Sequence, residues 1–273
     1  MGKYIIHMGI CGFGNQLLGF KEACIIAKYT NRTMISPIFI PHGTIRNQCK
    51  PYYQFKEIFN MEMFKNCVDI VDFTEIDKKY IINCVYNIRH ENENNLTSWY
   101  YNAQKKFYNI GNVQMISLKK IFFTNVESLD EIKNIKDDII VILGTFNTIK
   151  LSTCMKNGCL NENCGFHSTF IDDYNNISKH LIFNDKIEQI SKNTLKKNDI
   201  DINNLCVFHM RVLDLCQNKT FEYAYNNYNE EKVFYSICSY LYEIGEFSLI
   251  QNIFLIAPIQ FTTINNLHIF NSN

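Results

Sequence analysis

The sequence has no uninterrupted apolar run long enough to cross a bilayer and no excess of charge of either sign. Lys and Arg together number 27, as do Asp and Glu, so the formal net charge at pH 7 is zero. A membrane-spanning helix is therefore not expected. Nucleic acid is not an expected partner either, because the chain has no basic field to attract it. An anionic ligand would have to be held by a local group of residues.

The N-terminus also lacks the basic segment and apolar segment of a secretory signal, because the chain enters an apolar run at residue 4. Eleven cysteines without such a signal predict reduced thiols and not a disulfide framework. Together these features indicate a cytoplasmic protein. Hydrophobic residues make up 47% of the 273 residues, which is enough for one large domain or two small ones.

A glycine-dense stretch near the start separates a predicted strand at residues 4–8 from a predicted helix at 16–29. Gly9, Gly12 and Gly14 allow positive φ angles and close approach of another molecule to the backbone. Asn15 is a predicted N-cap, and the helix after it presents unpaired N–H groups to an anion. The stretch therefore predicts a site for a phosphate or a polar sugar group. Such turns also occur for packing alone, and this spacing is not G-x-G-x-x-G.

The order of apolar segments predicts an α/β fold. A second strand at residues 33–40 completes a strand–helix–strand unit, which favours a parallel sheet. Residues 139–143 are apolar throughout, as is typical of a central strand covered on both faces. Residues 89–112 are predicted to be a surface excursion with little regular structure. Further strands are predicted at 68–73, 116–123, 205–211 and 252–257, and further helices at 55–64, 185–197 (capped by Asn184) and 230–244.

A cysteine-rich loop at residues 154–167 contains Cys154, Cys159, Cys164 and His167. These are residue types that bind zinc. Their spacing lacks the C-x2-C pair that most structural zinc sites use. Whether these residues bind zinc or simply form a loop stays open.

A second motif, His209-Met-Arg211, ends the strand predicted at 205–211, and Asp214 follows it. Arginine is a planar, permanently charged fork that suits a diphosphate. The alternation of a strand places His209 on the same face as Arg211, so both could reach one ligand. An ion pair between Arg211 and Asp214 is the structural alternative.

The two motifs, in this order and at this separation, resemble the GDP-fucose protein O-fucosyltransferase family. Residues 12–16, the helix after them and the Asn-Arg-Thr-Met-Ile-Ser-Pro stretch are similar to its N-terminal signature. Residues 52–63 resemble its helix-and-loop continuation, and His209-Met-Arg211 resembles its H-x-R motif. The resemblance implies a GT-B-like fold with two Rossmann-type parallel-sheet halves, the second incomplete. The expected domains are an acceptor-side domain at 1–170 and a partial nucleotide-side domain at 171–273.

The resemblance also implies a chemistry: inverting, metal-independent transfer of fucose from GDP-fucose to a Ser/Thr hydroxyl of a protein acceptor. Arg211 would hold the β-phosphate and the breaking glycosidic oxygen, and the leaving GDP would be stabilised by its charge. No cofactor and no metal are expected beyond the donor substrate. The implied catalytic residues are Arg211 and Asn15, and the implied substrate-binding residues are Gly12, Phe13, Gly14, Asn15, His209, Arg211 and Asp214.

Other interpretations stay open at this point. An α-1,2-fucosyltransferase-type enzyme with a glycan acceptor carries similar motifs, although its usual H-x-R-R-G-D is not matched by Val212-Leu213-Asp214. A catalytically inactive family member that serves as a binding protein is the third possibility. The family resemblance would also allow the secretory pathway. All these interpretations require the glycine-dense stretch and Arg211 to face one crevice.

Overall fold

The computed structural model describes residues 2–10, 12–41, 50–76, 82, 84–88, 99–111, 114–118, 126–143, 170–197, 201, 205–209 and 252–256. The strands are β1 (Tyr4–Met8), β2 (Thr33–Ile35), β3 (Ile38–Phe39), β4 (Tyr53–Gln54), β5 (Ile70–Val71), β6 (Cys84–Asn87), β7 (Gln114–Ser117), β8 (Ile139–Leu143), β9 (Leu205–His209) and β10 (Asn252–Ile256). The helices are α1 (Phe13–Tyr29), α2 (Phe55–Ile58), α3 (Met61–Lys65), α4 (Trp99–Phe107), α5 (Asp130–Lys133), α6 (Ile171–His180) and α7 (Asp185–Lys197).

Six strands form one parallel sheet in the order β5-β2-β1-β8-β6-β7. The predicted strand–helix–strand unit is confirmed, because β1 and β2 pair in parallel with α1 between them in the chain. The predicted central strand at 139–143 is also confirmed. All five residues of β8 are buried, and the strand pairs with β1 on one side and β6 on the other. A continuous apolar run suits this position because both faces are covered.

The helix α1 covers one face of the sheet. Its buried side chains Phe20, Cys24 and Ile25 join Ile5 and Ile140 in one apolar cluster. The helix α6, which the sequence did not predict, packs on α1, and both Lys28 and Tyr29 bond to Asp173 across that contact. Helix α1 is apolar nearly all round because it lies between the sheet and α6.

The helix α4 contributes to the opposite face, where Tyr101 and Tyr108 pack with Ile6, Val85 and Val141. The prediction of an irregular excursion at 89–112 is therefore wrong for residues 99–107. The polar and asparagine-rich composition of the segment concealed a helix whose aromatic residues recur on one buried face. The strand β6, which precedes it, was not predicted.

Two predicted elements are divided in the structure. The strand predicted at 33–40 ends at Ile35, and β3 resumes after Pro37 to pair antiparallel with β4. Proline has no N–H to continue a ladder, which accounts for the break. The helix predicted at 55–64 becomes α2 and α3, because Phe59 is extended and the Asn60 side chain caps α3 by accepting the Met63 N–H at 3.1 Å.

The helix α7 begins where the sequence predicted. Asn184 caps it, since its side-chain oxygen accepts the N–H of Ile187 at 3.0 Å. The predicted buried face of Ile187, Ile190, Thr194 and Leu195 is wrong, because Ile190 is 53% exposed and Thr194 is exposed as well. Amphipathic spacing shows which face of a helix another element could cover. It does not show that such an element is present.

Chain contacts divide the protein into two compact units, Met1–Ile187 and Glu188–Asn273. In the second unit β9 and β10 pair in parallel, with Leu205 opposite Asn252 and His209 opposite Ile256. The predicted strands at 205–211 and 252–257 are confirmed as far as these residues extend. The predicted domains 1–170 and 171–273 stay a prediction, and the helix predicted at 230–244 lies outside the described residues. Among the described helices, none combines the length and the apolar character needed to span a bilayer.

The amino end of the sheet is tied by Arg32, which is 3% exposed. Its guanidinium donates to the carbonyl oxygens of Ile135 at 2.6 Å and Asp137 at 2.8 Å. Both carbonyls belong to the segment between α5 and β8. Arg32 therefore fastens the start of the central strand to the start of β2.

We expect Arg32→Met to lower the free energy of unfolding by about 2 kcal/mol, because it leaves partly buried carbonyls without a donor. The measurement is urea denaturation followed by fluorescence of the single tryptophan at position 99. Lys65→Met is the control, since Lys65 makes a surface pair with Glu62 at 3.0 Å and its loss should cost less than about 0.5 kcal/mol. Equal losses in the two variants would contradict the role given to Arg32.

Candidate functional site

The glycine corner, residues 9–15, lies where the chain leaves the carboxyl end of β1 and enters α1. From β1 the chain proceeds to β2 on one side, whereas the strand on the other side is β8, much later in the sequence. The carboxyl ends of β1 and β8 therefore form a topological switch point. Open α/β sheets bind their ligands at such points.

The helix begins earlier than the sequence predicted. Gly12 is the N-cap, and its carbonyl accepts the N–H of Gln16 at 3.1 Å. Asn15 is the third residue of the helix, so its prediction as N-cap is wrong. Gly12 has φ −69° and ψ 163°, which is extended backbone open to any residue. The left-handed conformation expected of this turn is therefore not found at Gly12.

The first turn of α1 is open to a ligand. The N–H groups of Phe13, Gly14 and Asn15 have no acceptor inside the helix, and no acidic side chain lies in this turn to offset the positive end of the helix dipole. Gly14 is exposed, and a Cβ added to it would meet no atom within 4 Å. The corner can therefore receive an anion close to the backbone.

The side chain of Gln16 holds this turn against the backbone of Ile40. Its amide nitrogen donates to the carbonyl of Ile40 at 2.7 Å, and its amide oxygen accepts the N–H of Ile40 at 2.9 Å. The side chain thus pairs with the backbone as a neighbouring strand would. Sequence analysis placed Gln16 in the motif without a role, because its partner is 24 residues away.

Gly9 lies in a closely packed position. A Cβ at this position would lie 3.0 Å from Cβ and Cγ of Gln16 and 3.1 Å from Cε1 of His7. From α4, the amide nitrogen of Gln104 donates to the carbonyl oxygen of Gly9 at 2.8 Å. Gln104 was missed because its segment was taken for an irregular loop. The recurrence of Tyr100, Gln104 and Tyr108 every four residues is the pattern that indicates the helix.

His7 lies beneath the corner and is 2% exposed. Burial lowers its pKa from 6.5 to about 3, so the imidazole is neutral at physiological pH. Its Nε2 has no hydrogen-bond partner in the described part of the chain. Because the ring is enclosed, we assign it no contact with substrate.

Phe13 presents an aromatic ring beside the open first turn and is 39% exposed. The ring meets Phe39 edge-on at a centroid distance of 5.0 Å and stacks on Phe59 at 6.3 Å. Phe59 in turn stacks on Phe183 at 5.4 Å. These ring contacts hold Phe13 at the surface. Its contact with substrate, which the family resemblance implies, stays a prediction.

The structure thus brings together Gly12, Phe13, Gly14 and Asn15. His209 is the last residue of β9 in the second unit. Arg211 and Asp214 lie outside the described residues, as do Cys154, Cys159, Cys164 and His167. The shared crevice therefore stays a prediction. Within the described ranges no three His, Cys, Asp or Glu side chains are grouped so as to hold a metal ion.

Comparison with known families relates this geometry to a class of enzymes. The family model described as GDP-fucose protein O-fucosyltransferase matches residues 4–231, which is most of the chain. Among curated protein sequences no match was found.

Solved structures share the fold at low sequence identity. The crystal structure of POFUT1 in complex with GDP-fucose is 12% identical, with a TM-score of 0.63 over 93% of this chain and 77% of that one. Its apo form is 13% identical, with a TM-score of 0.62 over 93% and 78%. Its complex with GDP is 13% identical, with a TM-score of 0.60 over 93% of this chain and 77% of that one. At such identities the likeness shows the fold, and it confirms the predicted α/β, GT-B-like class.

We expect His7→Leu to remove a pH-dependent loss of stability. The unfolded state binds a proton at His7 below about pH 6.5 and the folded state does so only near pH 3, so stability falls as the pH drops through this window. Between pH 7 and pH 5.5 the loss from His7 is about 1 kcal/mol. Urea denaturation of both proteins at the two pH values measures it. The same change in wild-type and variant protein would contradict the buried, neutral histidine.

Proposed function

This chain belongs to the GDP-fucose protein O-fucosyltransferase family, and on that premise we propose that it transfers fucose from GDP-fucose to a serine or threonine hydroxyl of a protein acceptor. The observation that carries the proposal is the open first turn of α1 at the switch point of the sheet. There Gly14 offers no side chain to keep a ligand away from the backbone. The solved structures with the same fold include POFUT1 with GDP-fucose and with GDP.

The donor carries a diphosphate, and a chain of zero net charge must bind it with local groups. The N–H groups and dipole of the first turn of α1 are one such group. Arg211 is the other in this proposal. Its guanidinium would hold the diphosphate and stabilise the negative charge that grows on the GDP oxygen as the glycosidic bond breaks. The fixed guanidinium then supplies the positive charge that a metal ion would otherwise supply to the leaving diphosphate, which supports metal-independent transfer.

The acceptor hydroxyl approaches the anomeric carbon from the side opposite GDP, so the configuration is inverted. Asn15 lies in the first turn of α1, where its side-chain amide would orient the hydroxyl. An amide is too weakly basic to remove the proton at the start of the reaction. Departure of GDP therefore leads, and the hydroxyl proton passes to water as the new C–O bond forms. The enclosed His7 takes no part in this transfer.

Arg211→Ala should weaken GDP binding at least about tenfold, since charge-assisted bonds to a phosphate contribute about 1.5–3 kcal/mol. Isothermal titration calorimetry with GDP and with GDP-fucose measures this. Lys28→Ala is the control, because it removes one positive charge at the far end of α1, where Lys28 pairs with Asp173.

Unchanged GDP affinity in the arginine variant would refute the role of Arg211. Wild-type protein that binds neither GDP nor GDP-fucose would refute the donor site as a whole. Transfer to a peptide acceptor is then measured with EDTA present, and the anomeric configuration of the product is read by NMR.

Gly14→Ala should separate stability from binding. In the free protein the new Cβ meets nothing within 4 Å, and alanine in a helix is favoured over glycine by up to about 1 kcal/mol, so the melting temperature should hold or rise. The same Cβ occupies the approach to the backbone, so the affinity for GDP-fucose should fall.

Gly111→Ala is the matched control, because it is also exposed and also has open space around an added Cβ. It should leave the affinity unchanged. If both variants bind GDP-fucose like the wild type, no ligand group reaches the backbone at Gly14.

A further inference from the structure

The side chain of Gln104 reaches the glycine corner from the face of the sheet opposite α1. It lies on α4 between Tyr101 and Tyr108, whose rings pack in the apolar cluster on that face. Gln104 itself is fully buried, at 0% exposure. A glutamine enclosed by aromatic and aliphatic neighbours needs a specific partner for its amide.

That partner is the backbone of the corner. The amide nitrogen donates to the carbonyl oxygen of Gly9 at 2.8 Å and to that of Tyr100 at 3.0 Å. Gly9 is one residue beyond the paired part of β1, whose register with β8 ends at Met8 opposite Leu143. Gln104 therefore supplies a donor at the point where the strand ladder stops. It links α4 to the residue from which the chain turns toward α1.

Stability alone does not account for a glutamine here. The buried side-chain atoms without a hydrogen-bond partner in the described part of the chain are His7 Nε2, Arg32 Nε and Gln104 Oε1. His7 and Gln104 both lie against Gly9, whereas Arg32 lies at the amino end of the sheet. The unpaired amide oxygen costs free energy, which offsets part of what the donor bonds of Gln104 contribute. Two of the three side chains with an unpaired buried atom therefore contact Gly9, and such atoms call for an explanation.

We propose that Gln104 is a positioning residue of the donor site, which sets the direction of the glycine corner by holding the carbonyl of Gly9. The proposal rests on the proposed function of that corner. Gln16 holds the same corner from the α1 side through Ile40, so the corner is fastened from both faces of the sheet. Loss of either bond would let the first turn of α1 shift. A displacement of about 1 Å at such a site costs up to about a hundredfold in catalytic efficiency.

Gln104→Met tests this inference, because methionine keeps the volume and removes the donor. The matched control is Tyr108→Phe. Tyr108 is buried and follows directly after α4, and its hydroxyl donates to the carbonyl of Ser36 at 3.2 Å, so the control also removes one buried bond to a backbone carbonyl. We expect GDP affinity to fall about tenfold in Gln104→Met and to stay within about twofold in Tyr108→Phe. The two melting temperatures should fall by similar amounts.

Hydrogen–deuterium exchange over residues 9–16 supplies a measurement that needs no ligand. Exchange should rise in Gln104→Met and not in Tyr108→Phe. Should the methionine variant fail to fold, Gln104→Leu replaces it, since leucine is also apolar and has no hydrogen-bond donor.

The outcomes separate the two proposals. Wild-type affinity and exchange in the Gln104 variants overturn the positioning role and leave the proposed function intact. Equal loss of affinity in the Tyr108 control also overturns it, because the effect would then be general destabilisation. A wild-type protein without affinity for GDP overturns the proposed function and the role of Gln104 in it, whatever the exchange data show.

Discussion

The contact of α1 with the end of β1 is the constraint on which the first unit depends. A Cβ added at Gly9 would lie 3.0 Å from the side chain of Gln16 and 3.1 Å from that of His7, which is tighter than an ordinary contact. Glycine lets helix and strand meet this closely without a shift of those side chains. The contact sets where α1 starts, and the bonds of Gln16 to Ile40 then tie the same turn to the segment after β3. The result is an exposed first turn of α1 close to the buried side chains of Gln16 and His7.

A second constraint is electrostatic. With zero net charge, the protein has no long-range attraction for an anion, and its buried polar groups are kept neutral or paired. His7 is neutral because burial lowers its pKa, and Arg32 is paired with backbone carbonyls away from the corner. In the function proposed above, a diphosphate is recognised by local groups: the start of one helix and the arginine of the second motif.

Sequence patterns predicted the structure correctly where the cause lies within the segment itself. The apolar run of β8 and the glycines before α1 were both recognised, because each has a local chemical cause. Patterns failed where two local signals compete or where a distant segment decides the structure. Asn15 looked like an N-cap, but Gly12 takes that place because its carbonyl already accepts the N–H of Gln16. The helix α4 was taken for a loop, because its polar residues outweighed the aromatic ones that face the core.

The sequence by itself determined the parallel α/β sheet, the family, and the location of the glycine corner between the first strand and the first helix. The sheet and the corner follow from hydrophobic periodicity and from residue types that act locally, and the family follows from the resemblance of the two motifs. Only the tertiary structure decided that Gln104 reaches Gly9 across 95 residues and that Gln16 pairs with Ile40. Such contacts depend on how helices pack on a sheet, and no local pattern encodes the distance between segments that meet only in the folded chain.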